Sequence, residues 1–162
     1  MARLTEEGVK RLLQVKEHIL RDSKGFDMDD WLVVSQEKRE NGCGTTACLA
    51  GWVCYLNKPE AIEAYNTYSQ RYRDNFEAVN KLRDVVISQA ASLLLTAKTP
   101  WENGLFYKGY WPEELREEYK QAEIYKDYLK MAQAAGKAID WYIGINGPVD
   151  PEYRAEVEDA AI

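Results

Sequence analysis

Asn41-Gly42-Cys43-Gly44-Thr45-Thr46-Ala47-Cys48-Leu49-Ala50-Gly51-Trp52 is the stretch on which the reading of this chain turns. Its small residues suit a tight turn, its threonines suit a helix N-cap, and it holds two of the three cysteines. The spacing predicts a helix from about Thr45 to Leu56, capped by Thr45 or Thr46. Asn57-Lys58-Pro59 then ends it, because the residue before a proline avoids helical angles. Ala47, Ala50, Gly51 and Cys54 form a strip of small residues that would let another helix approach closely, with Trp52 and Tyr55 filling the opposite side.

Outward from this element the chain reads as helices. Toward the N-terminus, Thr5 caps a helix whose apolar stripe is Val9, Leu12, Leu13, Ile19 and Leu20, with His18 and Val15 beside it. That helix ends near Asp22, where Ser23-Lys24-Gly25 supplies a stop and Gly25 is free to take a positive φ. Phe26 to Val34 is extended or turn-like, with Trp31–Val34 as one short strand lacking a partner. Ser35 to Gly42 is a polar loop.

Toward the C-terminus, Glu60 to about Tyr72 is a tyrosine-rich helix carrying Ile62, Tyr65, Tyr68, Ser69 and Tyr72 on one side. Phe76 to Ala97 is strongly periodic through Val79, Leu82, Val86, Ala90, Leu93 and Leu94. Thr99 to Pro112 is a loop, with room for one short helical turn, that carries Trp101, Phe106, Tyr107, Tyr110 and Trp111. Pro112 suits the first position of the next helix, which runs to about Ala122. The last helix, near Asp127 to Ile143, buries Leu129, Ala132, Gly136, Ile139 and Ile143. The expected fold is mainly α: one compact domain over 1–162 of about six helices with at most one short strand. The Thr45–Leu56 helix would be its centre, packed on the first and last helices, and the acidic tail from about 150 to 162 would fray.

Composition narrows the function classes. With 46% hydrophobic and 30% charged residues the chain is globular rather than disordered. A net charge of −6 offers no global basic field for nucleic acid, and no run of Lys and Arg marks a local patch. The N-terminus turns polar at once and no apolar run approaches the ~20 residues that cross a bilayer, so a cytoplasmic protein with no membrane partner is expected. Three cysteines without an export signal read as free thiols.

Chemistry concentrates at two places. Cys43 lies just outside the central helix and Cys48 in its first turn, where backbone N–H groups lower a thiol's pKa. His18, the only histidine, would serve as base. The ordinary role of such cysteines is packing, since Cys is a small buried hydrophobe. The Cys-x-x-x-x-Cys spacing lacks the second ligand pair of a zinc site, and phosphate-loop and dinucleotide fingerprints are missing, so neither metal nor cofactor is expected. The aromatic loop is the better binding candidate, although Trp and Phe in a long loop are more often plugs that tack it to the core. Trp101, Phe106, Tyr110 and Trp111 would face a ligand beside the Gly44-Thr45-Thr46 turn, whose free N–H groups suit an anion. The Tyr65, Tyr68, Tyr72 row suits a homo-oligomer interface as readily as a core edge.

The His18 helix, Phe26-Asp27-Met28 with Trp31, Cys43-Gly44-Thr45-x-x-Cys48-x-Ala50-Gly51-Trp52, Ala90-Ala91-x-Leu93-Leu94, Leu105-Phe106, Trp111-Pro112 and Ala138-Ile139-Asp140 together resemble a family of small proteins found in bacteria and their phages. Relative to its shorter members, about 58–83 looks like an insertion. The resemblance implies a fold unit and a phage setting, and brings no established activity. The leading expectation is therefore a small non-enzymatic binding or interaction protein acting on a host protein or a small anionic ligand. The alternatives are a cysteine-dependent enzyme using Cys43 or Cys48 with His18, and a structural, oligomer-forming protein.

Overall fold

The computed structural model describes residues 4–29, 47–57, 76–95 and 104–147, with side chains of 76–80 and 82 left aside. The chain is mainly helical. Among the described residues five α-helices follow one another: α1 (Glu6–Arg21), α2 (Leu49–Asn57), α3 (Phe76–Leu94), α4 (Glu113–Ile124) and α5 (Tyr128–Asn146). Short 3₁₀ turns occupy Ser23–Gly25 and Lys108–Tyr110. No strand forms among the described residues, only isolated bridges between Leu4 and Leu95 and between Phe26 and Ala47. The expected strand at Trp31–Val34, the loop at 35–42, the tyrosine-rich helix at 60–72 and the tail at 150–162 lie outside the described residues.

α1 begins as its sequence dictates. Thr5 has extended angles and its hydroxyl accepts from the Gly8 N–H at 2.8 Å, while Glu6 and Glu7 occupy the first turn, where the dipole favours acids. The helix stops at Asp22, but not through a left-handed glycine. No described glycine has a positive φ; a 3₁₀ turn absorbs the chain end instead, closed by Gly25 N–H to Asp22 O at 3.0 Å.

The buried stripe of α1 differs from the expected one. Gly8, Leu12, Val15 and Ile19 are buried, whereas Leu13 and Leu20 are exposed and Val9 only partly covered. The reason is that α1, not α2, is the hub: it packs on α2, α3 and α5. Its buried face is set by where those neighbours stand, and Leu13 and Leu20 fall outside it.

Two close approaches define this packing. A Cβ on Gly8 would lie 2.2 Å from the Leu94 carbonyl oxygen, so α1 crosses the end of α3 at a distance only glycine allows. At the other crossing, Gly136 of α5 faces the Lys16 methylenes, and Lys16 Nζ reaches Asp140 at 2.7 Å. These crossings satisfy helix-end carbonyls. Leu94 O accepts from Thr5 N–H at 2.9 Å, Leu93 O from Arg11 Nη1 at 2.6 Å, and Asn146 O from Leu4 N–H at 2.9 Å.

α2 is short and enclosed, with Leu49 through Cys54 all buried. Its principal neighbours are α1 and α3 rather than the last helix, which corrects the expected arrangement. Cys54 Sγ donates to Val86 O of α3 at 3.4 Å, so the small-residue side of α2 does receive another helix. On α3, Val86, Ala90 and Leu94 are buried, as their periodicity demands.

α4 begins after Pro112, which is the cap residue rather than the first helical one, and continues past Ala122 to Ile124. Asp127 then caps α5, its carboxylate accepting from Lys130 N–H at 3.1 Å. Between them Lys126 adopts φ 50°, with Lys126 N–H to Glu123 O at 3.1 Å and Asp127 N–H to Ala122 O at 2.8 Å. This is the Schellman pattern with a lysine where glycine is usual. α5 buries Met131, Ala132, Ala135, Gly136 and Ile139, while Leu129, expected inside, is half exposed.

Candidate functional site

Cys48, the described cysteine of this element, behaves as packing. Cys48 is not in the first turn of α2 but is the residue before it. Its carbonyl accepts from Trp52 N–H at 2.9 Å and its Sγ accepts from Gly51 N–H at 3.4 Å. Two opposed effects act on the thiol. Complete burial removes the water a thiolate needs, and the N–H groups of Gly51 and Ala50 favour the anion. Burial wins, and the thiol is pushed up to about 12 from an ordinary 9.0. The lowered pKa expected from a helix terminus therefore does not arise at Cys48, because the terminus is sealed.

His18 packs its ring on Trp52, with centroids 4.1 Å apart, and its Nδ1 lies 3.5 Å from Arg21 Nη2. Trp52 in turn donates its indole N–H to Gly25 O at 2.8 Å, locking the turn after α1 to α2. Cys43, Gly44, Thr45, Thr46 and Trp101 lie outside the described residues.

Among its described residues the aromatic loop divides into plugs and one exposed ring. Phe106 and Trp111 are buried. The Trp111 indole donates to Leu105 O at 2.8 Å and meets Tyr119 of α4 edge-on, centroids 5.6 Å apart. Tyr119 also packs against Phe26 and accepts the Met28 N–H at 3.0 Å on its hydroxyl oxygen. Burial raises the pKa of that phenol. Tyr110, by contrast, is 70% exposed and stands edge-on to half-buried Tyr107 at 6.0 Å. Burial likewise raises the Tyr107 pKa, keeping its hydroxyl a donor.

Between these rings sits Lys108, which the sequence did not single out. Its Nζ reaches Glu123 at 2.9 Å and Asp29 at 3.3 Å, and lies 5.2 Å from the Tyr119 ring centroid. Partial desolvation works against the ammonium, but the Glu123 and Asp29 carboxylates outweigh it and raise the Lys108 pKa. Asp27, Asp29 and Glu123 bring carboxylate oxygens within 4.8 Å of one another, so the ammonium neutralises part of a dense acidic group. Lys108 thereby pins the 3₁₀ turn to both the Phe26–Asp29 segment and α4.

Two concave surfaces open on either side of this pin. One, of about 440 Å³, is walled by Met28, Asp29, Arg83, Tyr107, Lys108 and Tyr110, with Phe106 beneath. The other, of about 290 Å³, is walled by Lys108, Arg116, Tyr119, Lys120 and Glu123. Arg116 and Lys120 are exposed, one helical turn apart on α4, and neither pairs with a carboxylate among the described residues. Folding thus sets Arg83 with Asp29 at one concavity and Arg116 and Lys120 with Glu123 at the other, with Lys108 shared between them, a juxtaposition that no linear run of Lys and Arg announced. The Arg116–Lys120 spacing of four was legible in the sequence, but the intervening glutamates hid it.

The arrangement sets exposed cations beside aromatic rings. No helix among the described residues is long and apolar enough to cross a membrane. No protein-family model, curated protein or solved structure matches this chain.

Proposed function

We propose that this chain is a small non-enzymatic binding protein, and that its ligand is a small anion carrying a planar or apolar part. The observation that carries the reading is the pair of exposed cations, Arg116 and Lys120, unpaired among the described residues and facing a concavity that shares Lys108 with the Tyr107–Tyr110 cleft. Clefts of a few hundred Å³ with a few placed polar groups are the usual form of small-ligand sites. Here the guanidinium of Arg116, with Lys120 beside it, would take the ligand's charge, bidentately for a carboxylate or phosphate, and the ligand's flat part would extend past Lys108 toward Tyr110. The buried Cys48 thiol favours binding over thiol catalysis at that residue.

Titration of the protein with phenyl phosphate, benzoate and inorganic phosphate, followed by amide chemical shifts, tests this. Saturable shifts at Tyr107, Gly109, Tyr110 and Lys120 are expected, weaker for inorganic phosphate. Arg116→Gln with Lys120→Gln should weaken binding at least tenfold while leaving the fold intact, since both side chains are exposed. Shifts that fail to saturate, or that survive the double substitution, refute the proposal.

A further inference from the structure

A further concavity lies between α4 and α5. Glu114, Glu117, Glu118 and Gln121 recur at i, i+3, i+4 and i+7 and so share one face of α4. They face α5 across a groove of about 910 Å³ that continues to Tyr125, Lys130 and Lys137. Lys137 is occupied by Glu118 at 2.9 Å and Lys130 by Asp127 at 4.0 Å. Glu114 and Glu117 have no cation partner among the described residues. The groove therefore has two unopposed carboxylates at one end and a tyrosine that is 79% exposed at the other.

The groove is preformed rather than induced. The Schellman turn at Lys126 and the Asp127 cap lock the angle between α4 and α5, and Ala122, buried, forms the floor. A rigid concavity spares the partner the ordering cost of shaping it. From Glu114 to Tyr125 the groove runs about 16 Å along the helix axis, the length of about eleven helical residues.

We infer that the α4–α5 groove is a docking surface for a basic amphipathic helical segment of a partner protein. Two Lys or Arg side chains three residues apart would meet Glu114 and Glu117, which are themselves three apart. A third cation or an apolar side chain would lie on the Tyr125 ring. Exposed Ile124 and Leu129 beside that end add apolar surface for the segment's other face. This inference stands on a different face from the anion site and does not depend on it.

The test uses the full chain and a capped peptide of about twelve residues, built from Leu, Ala and Lys with Lys at positions i, i+3 and i+11, matched by a peptide with Glu in place of Lys. Amide shifts at Gln121, Tyr125, Lys130 and Gln133 should saturate with the lysine peptide only. Binding should weaken about fivefold in Glu114→Gln with Glu117→Gln, as expected for two rim ion pairs, and should weaken further in raised salt. Tyr125→Ala should weaken it again, and all three side chains are exposed, so each variant folds. Equal binding of the glutamate peptide, equal shifts from free lysine, or an affinity unchanged by the double substitution would each overturn the inference.

Discussion

Alkylation of Cys48 in the folded protein should be slower than in the unfolded chain by at least three orders of magnitude at any pH below 9. The magnitude follows from the site. The thiol's pKa rises from 9.0 to about 12, and each unit lowers the thiolate fraction tenfold, about a thousandfold in all before steric access is considered. Iodoacetamide labelling, read cysteine by cysteine by mass spectrometry in native buffer and in guanidinium, measures the ratio. The same burial makes stability depend on alkaline pH. The folded state holds this proton more tightly than the unfolded state does. Its contribution is therefore fully present below about pH 9 and is lost as pH climbs toward about 12, up to about 4 kcal/mol. Cys48→Ala should flatten that alkaline limb, although it also removes the Sγ cap to Gly51 N–H. Native labelling of Cys48 within tenfold of the unfolded rate would refute the reasoning and return the helix terminus, rather than burial, to control of the thiol.

Two further substitutions test the frame that holds the sites. Gly8→Ala should destabilise the protein by about 1–3 kcal/mol in urea unfolding, because its Cβ would meet the Leu94 carbonyl at 2.2 Å and neither backbone can yield without breaking the Thr5–Leu94 hydrogen bond; an unchanged midpoint would mean that α1 and α3 do not cross there. Lys126→Gly should raise stability by about 0.5 kcal/mol, the relief of a left-handed lysine exceeding the extra chain entropy of glycine, and a lowered melting temperature would contradict the Schellman geometry.

Much of the fold was legible residue by residue. Thr5, Asp127 and the acids after Pro112 signal helix starts through local hydrogen bonding and the dipole, which need no tertiary partner. The α3 stripe at Val86, Ala90 and Leu94 was equally plain, because one face of a long helix meets one set of neighbours. Periodicity failed where a helix meets several neighbours or runs to a free end. Leu13 and Leu20 are as apolar as Leu12 and Ile19, yet only the position of α2, α3 and α5 around α1 decides which are covered. Leu129 looks like core but lies in the first turn of α5, beside the exposed corner at Tyr125.

The candidate sites show the same division more sharply. The sequence by itself determined a mainly helical chain, the places where most helices begin, and the aromatic character of the loop before α4, since these depend on neighbours in the chain. Only the tertiary structure decided that Cys48 is sealed, that Trp111 plugs while Tyr110 faces solvent, and that Lys108 bridges Asp29 and Glu123. It alone brought Glu114, Glu117 and Glu118 against α5 and set Arg116 and Lys120 beside Lys108. Burial and Coulomb interactions act through space, and Asp29, Arg83, Lys108 and Glu123 become neighbours only once the helices have packed.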